Sequence, residues 1–121
     1  MITQMLLRGE DRKDSIIQRF DLTRMCSERG LRETPYLEFL RAPAMSAGLY
    51  RLPVGALGRQ QPHPEDEVYY ILKGRGMIQV GDESRPIEPG IMIYVPARAP
   101  HRFYAISEDL TMLALFAPSG V

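Results

Sequence analysis

The sequence predicts an all-β fold, arranged as a barrel or a sandwich, from two observations. Between residues 35 and 118, apolar runs of about five residues recur at intervals of roughly ten. The segments between these runs contain glycine and proline, which favour turns. The chain of 121 residues, with 45% apolar and 25% charged residues, has the size and composition of one globular domain. We therefore expect one barrel over residues 35–118, followed by a tail at 119–121.

The first part of the chain, residues 1–34, is expected to form an N-terminal extension with one short helix. Residues 1–20 are rich in charge and are expected to be a tail, or an element that a partner subunit orders. Asp21 is the expected N-cap of the helix, and Gly30 its stop. One face of the helix is apolar, formed by Leu22, Met25 and Cys26. Cys26, the only cysteine, is therefore interpreted as a packed residue and not as a nucleophile.

Each strand of the barrel is predicted from a run of β-branched, aromatic or other apolar residues, with residues that favour turns on both sides of the run. The predicted strands cover, in order, 36–40, 45–52, 68–73, 77–80, 91–95, 101–105 and 110–116. Gly74-Arg75-Gly76 predicts a hairpin between two of them, and 81–84 a second turn. Glu88-Pro89-Gly90 has the residue order of a type II turn. The proline-rich stretch 53–64 predicts a long loop beside the candidate ligands described next.

Four residues able to bind a metal ion lie near the starts of two predicted strands: Gln61, His63, Glu67 and His101. Each residue alone is more often a surface or core group than a ligand, but their joint occurrence at short spacing favours one common site. Two histidines and a carboxylate suit catalytic zinc or non-haem Fe(II), and the Gln61 amide adds a neutral oxygen donor. The sequence therefore predicts one divalent metal ion, either Zn, Mn, Fe or Ni. The neighbouring Glu65 and Asp66 are interpreted as surface charges.

Strand alternation predicts which neighbours share a face with the candidate ligands. Glu67 and Tyr69 lie on one face of their strand, and His101 shares a face with Phe103. A carboxylate inside a barrel is costly unless it is paired or bound to a metal, so a metal ion explains an inward Glu67. Candidate residues for a substrate pocket are Tyr69, Phe103 and Tyr50, although aromatic residues inside a barrel more often serve packing.

These residues match the motifs of a known family: from about residue 35 to 118 the sequence resembles the single-domain cupins. The first cupin motif has Gly, two histidines, Glu and Gly, which correspond here to Gly55, Gln61, His63, Glu67 and Gly74. The second has Gly, Pro, Gly, His and Asn, which correspond here to Gly90, Pro96, Arg98, His101 and Ala105.

The resemblance implies a double-stranded β-helix, that is, a jelly-roll barrel, with the metal ligands at the four positions named above. It implies dioxygenase-like chemistry with a redox-active metal, and isomerase or lyase chemistry with zinc. Gln61 stands where the family usually has a histidine, which predicts weaker metal binding than a site with three histidines. Arg98 in place of glycine predicts a different turn shape before His101.

Three functions remain open from the sequence. The first is a metal-dependent enzyme that acts on a small oxygen-rich molecule, with the metal as a Lewis acid. The second is a small-molecule binding module without turnover, and the third is a dimeric scaffold with a degenerate metal site. Hydrolysis by a serine or cysteine nucleophile is disfavoured, because no such constellation is visible.

Net charge and hydropathy limit the partners and the cellular location that the sequence predicts. Fifteen basic residues balance fifteen acidic ones, which argues against nucleic acid or an anionic membrane as a partner. No apolar run has the length of a signal peptide or a membrane span, so a cytoplasmic protein is expected. A surface without net charge favours self-association, and we expect a homodimer in which strand 36–40 and the N-terminal segment are edge elements.

Overall fold

The computed structural model describes residues 16–27, 35–60 and 62–118. Within these residues the protein has one short helix, α1 (Leu22–Cys26), and seven strands. The strands are β1 (Tyr36–Arg41), β2 (Ser46–Leu52), β3 (Gly58–Gln60), β4 (Asp66–Val80), β5 (Glu83–Ile87), β6 (Met92–Val95) and β7 (His101–Ala117). No helix of the described part is long and apolar enough to cross a membrane.

Strands β4 and β7 are the two long central strands, and they pair with each other from Asp66↔Ala117 to Val80↔His101. The first half of β4 also pairs with β6, and its second half with β5. The second half of β7 pairs with β2, which carries β1 on its other side, and the first half pairs with β3. All of these pairs are antiparallel, and the two long strands serve both layers of a jelly-roll barrel.

The segment Gly74-Arg75-Gly76 is not the hairpin that the sequence predicts, because it lies inside β4. Both parts of β4 pair with β7, and three register shifts between Ile71 and Met77 let the strand bend. Gly74 adopts φ +94, and a Cβ atom there would overlap the backbone carbonyl of Asp109. The glycine therefore serves a close approach of two strands, and not a reversal of the chain.

Four other features differ from the prediction. The predicted strands 101–105 and 110–116 form the single strand β7, because β4 supports it along its whole length. The predicted loop 53–64 contains the short strand β3. The predicted turn 81–84 is shorter, since Val80 already pairs with Glu83, and an unpredicted strand, β5, follows it. The proline in β5 fits an edge strand, and the absence of polar alternation hid this strand in the sequence.

Turn chemistry is confirmed at Glu88-Pro89-Gly90. The Ile91 amide donates to the Glu88 carbonyl at 3.1 Å, and Gly90 adopts φ +95, as a type II turn requires at its third residue. Arg98, which stands in place of a glycine, adopts φ +68. The turn before His101 therefore keeps a glycine-like backbone, although this conformation costs a residue with a Cβ atom about 1–2 kcal/mol.

The core has two parts. Between the layers, the buried residues are Leu52, Tyr69, Ile71, Ile78, Ile87, Val95, Phe103, Ile106, Leu110, Met112 and Ala114. On the outer face of β1 and β2 they are Met25, Leu37, Phe39, Ala47 and Leu49. Strand alternation produces both parts of the core, because successive side chains of β2 point to opposite faces of the sheet.

Helix α1 covers this outer face. Asp21 caps it as predicted, since its Oδ1 atom accepts from the Arg24 amide at 3.1 Å. Met25 is fully buried, and Cys26 is half-buried, where burial raises the pKa of its thiol. The predicted stop at Gly30, the tail before residue 16 and the segment 119–121 lie outside the described residues.

The bend of β4 predicts a large difference between two glycine substitutions. Gly74→Ala should lower the free energy of unfolding by at least about 3 kcal/mol, because the backbone of β7 has no room for the methyl group. Gly90→Ala is the matched control, because its φ of +95 is nearly the same but open space surrounds it. It should cost only about 1–2 kcal/mol. Urea unfolding of both variants measures the difference, and equal losses would contradict the close approach.

Candidate metal and ligand site

The inward face of β4 begins with polar residues and continues with apolar ones. Glu67, Tyr69 and Ile71 alternate with half-buried or exposed neighbours, as the sequence predicts. Glu65, just before the strand, has the same parity and is also buried, with 7% of the residue exposed. The interpretation of Glu65 as a surface charge is therefore wrong. Asp66 is exposed as expected, and it accepts a hydrogen bond from the Ala97 amide at 2.8 Å.

His101 begins β7 opposite Val80, and its side chain points to the same interior. Its Nδ1 atom lies 3.0 Å from the carbonyl oxygen of Ala99. Since a carbonyl oxygen only accepts, Nδ1 carries a proton, and the Nε2 atom faces the interior. The turn between Pro96 and His101 thus sets the orientation of the imidazole ring before the strand begins.

Glu67, Tyr69 and His101 form one buried polar cluster. The Tyr69 hydroxyl donates to Glu67 Oε1 at 2.5 Å and lies 3.3 Å from His101 Nε2. The same Nε2 atom is 3.5 Å from Glu67 Oε1. The side chains of His101 and Glu67 are only 0% and 2% exposed, so solvent screens their interaction little.

The pKa values of the two ionisable members move apart. Burial by itself would raise the pKa of Glu67, but hydrogen bonds from His101 and Tyr69, and the charges of His101 and His63, outweigh burial and lower it. Burial would likewise lower the pKa of His101, but hydrogen bonds to Glu67 and to the Ala99 carbonyl, and the Glu67 charge, raise it. The cluster therefore favours a carboxylate paired with an imidazolium.

His63 approaches the cluster from the loop before β4. The Arg98 amide donates to the His63 carbonyl oxygen at 2.6 Å, which ties together the two loops that carry the histidines. The His63 ring is half-exposed, and its centroid lies 6.2 Å from that of His101. Its Nδ1 atom lies 4.0 Å from Glu65 Oε1.

The structure brings the sequence-predicted donors together in part. Glu67 and His101 are in contact, and His63 faces the same space. Among the residues that the structure describes, however, no group of three His, Cys, Asp or Glu side chains is close enough to hold a metal ion as it stands. Gln61 lies outside the described residues. The four-ligand metal site therefore stays a prediction.

A cavity of about 380 Å³ opens beside this cluster. Its lining residues are Tyr36, Glu38, Arg41, Ser46, Tyr50, His63, Glu65, Tyr69, Ala114 and Phe116. The predicted pocket residues Tyr50 and Tyr69 are among them, whereas Phe103 is fully buried and packs behind both rings, at centroid distances of 6.3 and 5.2 Å. Tyr69 is the side chain that both lines the cavity and contacts Glu67.

Several cavity residues were not singled out from the sequence. Tyr36, Glu38 and Ser46 come from β1 and β2, and the sequence gives no sign that these strands lie next to His63. Phe116 has a signal that could have been used, because its parity on β7 matches that of Met112 and Ala114. Glu65 could have been found by the same parity argument that selected Glu67.

Comparisons with known proteins identify the family of the chain. Residues 48–117, more than half of the chain, match the cupin domain family. The protein belongs to the cupin family. This membership confirms the resemblance that its two histidine motifs indicate, and cupin structures support the jelly-roll barrel.

Relatives of this cupin include the uncharacterized protein SCO3923 of Streptomyces coelicolor, which is 44% identical over 99 residues, 82% of this chain and 94% of the relative. Among solved structures, TT1209 from Thermus thermophilus is similar with a TM-score of 0.71 and 26% identity, over 85% of this chain and 99% of that one. The DMSP lyase DddQ from Ruegeria pomeroyi DSS-3 is similar with a TM-score of 0.59 and 25% identity. That match covers 63% of this chain and only 39% of DddQ.

The two pKa shifts predict a pH optimum for the stability of the metal-free protein. A carboxylate with a lowered pKa, such as Glu67, contributes stability that is lost as the pH falls through its folded pKa. A histidine with a raised pKa, such as His101, contributes stability below its unfolded pKa of about 6.5, and loses it as the pH rises through its folded value. The pair should therefore contribute most between about pH 5 and pH 6.5.

Urea unfolding of chelator-treated protein across this pH range and on both sides of it measures the optimum. His101→Gln keeps a polar side chain but cannot titrate, so the loss of stability on the alkaline side should become smaller in this variant. An unchanged alkaline loss would show that His101 is not its source.

Proposed function

We propose that this cupin binds one divalent metal ion and is a metal-dependent enzyme for a small oxygen-rich substrate. The observation that carries the proposal is the buried cluster of Glu67, Tyr69 and His101 beside a cavity to which His63 also contributes. Enzymes use such convergent polar groups at the end of an otherwise apolar pocket to fix and activate a ligand.

The chemistry of the donor set fits a divalent ion. Glu67 supplies a carboxylate, and His101 supplies an Nε2 atom whose orientation the Ala99 carbonyl fixes through Nδ1, as in many histidine ligands. His63, and Gln61 by its position in the motif, would complete the set. A bound ion would act as a Lewis acid on a substrate oxygen, and with a redox-active metal it would support oxygen chemistry.

The residues of the chain itself supply the remaining functions. Tyr69 lines the cavity and its hydroxyl donates to Glu67, which leaves the hydroxyl oxygen as an acceptor for a substrate hydroxyl. The rings of Tyr36, Tyr50 and Phe116 make part of the cavity wall apolar. The Glu38–Arg41 ion pair, with an N–O distance of 2.7 Å, forms another part of the cavity lining. Its two charges neutralise each other.

Two reaction classes fit this arrangement: oxygen insertion of the dioxygenase type, and isomerisation or elimination. The similarity to DddQ, a lyase by name, supports the second class. A non-catalytic binding module is the other candidate, and one observation favours it. In the described residues Glu67 and His101 already satisfy each other and Tyr69, so the cluster is stable without a metal.

Metal titration separates these functions. His63→Ala and His101→Ala should each weaken binding of Zn²⁺ or Mn²⁺ to chelator-treated protein by at least about tenfold, because each removes a ligand. Glu108→Ala is the control, since this exposed glutamate on β7 lies away from the cavity. Isothermal titration measures the affinities, and elemental analysis of the purified protein measures the metal content.

Two outcomes would contradict the proposal. If the wild-type protein neither contains nor takes up a divalent ion, the metal site is degenerate. If turnover of a substrate persists after chelation, the reaction does not depend on the metal. Recovery of a tightly bound ligand without chemical change would favour the binding module.

The homodimer expected from the sequence stays a prediction, and we further propose that the two copies associate through β6 and not through strand 36–40. In the described part β6 pairs only with β4, and Met92 and Tyr94 project from it with 67% and 58% exposure. Antiparallel pairing of two β6 strands about Ile93 would place each Met92 opposite the partner's Tyr94, which makes an apolar and self-complementary contact. The zero net charge opposes this association little.

Sedimentation velocity tests the interface. The wild-type protein should sediment as a dimer at micromolar concentration, and Met92→Lys should produce monomers, because a charge would lie in the apolar contact. Val54→Lys, at an equally accessible apolar residue in the loop after β2, should remain a dimer. A monomeric wild-type protein, or a dimeric Met92→Lys variant, would rule out this interface.

A further inference from the structure

Glu65 is a buried residue whose carboxylate takes no part in the cluster of Glu67, Tyr69 and His101. Its side chain is 9% exposed and lines the cavity. Glu65 forms an ion pair with His63, whose Nδ1 atom lies 4.0 Å from Oε1, beyond hydrogen-bond distance. The described residues give the Glu65 carboxylate no hydrogen bond, whereas Glu67 has both Tyr69 and His101 as partners. A carboxylate that lines a cavity without a hydrogen bond can bind a polar or charged group of a ligand.

Three aromatic rings line the same cavity as Glu65. Tyr36 and Tyr50 have ring centroids 6.2 Å apart at 75°, and Tyr36 and Phe116 have centroids 6.2 Å apart at 82°. All three rings line the same cavity. The negative face of an aromatic ring attracts a cation.

In the described lining an arginine pairs with one carboxylate, and that carboxylate is not Glu65. Two carboxylates line the cavity, Glu38 and Glu65. Arg41 holds Glu38 through two hydrogen bonds, at 2.7 and 3.0 Å, so this pair adds no net charge. Glu65 is therefore the carboxylate of the described lining that Arg41 does not bind.

We propose that the ligand of this cavity carries a small organic cation, an ammonium or quaternary ammonium group, bound by Glu65 and by the rings of Tyr36, Tyr50 and Phe116. The inference rests on the proposed function for the cavity as the substrate site, and it adds the class of substrate. Oxygen atoms of the same molecule would face His63 and the buried cluster. The substrate is then an amine or quaternary amine that also bears oxygen groups.

Choline and 3,3-dimethylbutan-1-ol test the charge requirement, because the second compound has the same shape without the charge. Isothermal titration of chelator-treated protein should show that choline binds at least about tenfold more tightly than the neutral compound. Glu65→Gln should reduce this preference to about threefold or less, whereas Glu108→Gln should preserve it. Phe116→Leu, which removes one wall and keeps the carboxylate, should weaken choline binding more than binding of the neutral compound.

Three outcomes would overturn the inference. Equal binding of the two compounds, or a choline Kd weaker than about 10 mM, would show that the cavity does not select a cation. A Glu65→Gln variant that keeps the preference would show that Glu65 does not supply it. If that variant also loses metal content, Glu65 is a metal ligand instead.

Folding and the proposed function are tested separately. Thermal unfolding of each variant establishes that it is folded, and Phe116→Leu provides a second readout if Glu65→Gln is not. Because the comparison uses chelator-treated protein, a failure of metal binding would remove the proposed function and leave the cation preference intact. A failure of the preference would leave the metal site intact.

Discussion

The antiparallel pairing of β4 with β7 is the constraint on which the rest of the structure depends. These strands stay paired from Asp66↔Ala117 to Val80↔His101, although both bend between the two layers of the barrel. Glu67 lies near one end of β4, and His101 lies at the start of β7. The bend brings the start of β7 back toward the inward face of β4. The His101 imidazole therefore contacts the Glu67 carboxylate, although the two residues are far apart in sequence.

Burial gives the polar cluster its chemical properties. In water, the attraction between a carboxylate and an imidazolium is weak, but the side chains of Glu67 and His101 are almost fully withdrawn from solvent. Each then depends on the other, and on Tyr69, for its hydrogen bonds. A metal ion bound as proposed would replace the proton on His101 Nε2, so its affinity would fall as the pH is lowered.

The cavity adds a second polar feature, the Glu65 carboxylate, to the cluster of Glu67, Tyr69 and His101. Its walls come from β1, β2, β4 and β7, together with the loop before β4. The shape of the cavity therefore depends on how all four strands pair. Glu65 and Glu67 lie on the same face, but Glu67 has buried hydrogen-bond partners and Glu65 does not. The same residue type at alternate positions thus serves two purposes: one carboxylate completes an internal cluster, and the other remains available to a ligand.

Local sequence determined the strand-rich fold, the cap at Asp21, the turn at Gly90 and the inward direction of Glu67, because each depends on residues within a few positions. Tertiary structure alone decided that β4 continues through Gly74, since the space that excludes a side chain there belongs to Asp109, a residue of another strand. It likewise decided that Tyr36 and Phe116 meet at the cavity. Pairing between distant strands fixes such contacts, and the alternation of residues along one strand carries no information about which strand lies beside it.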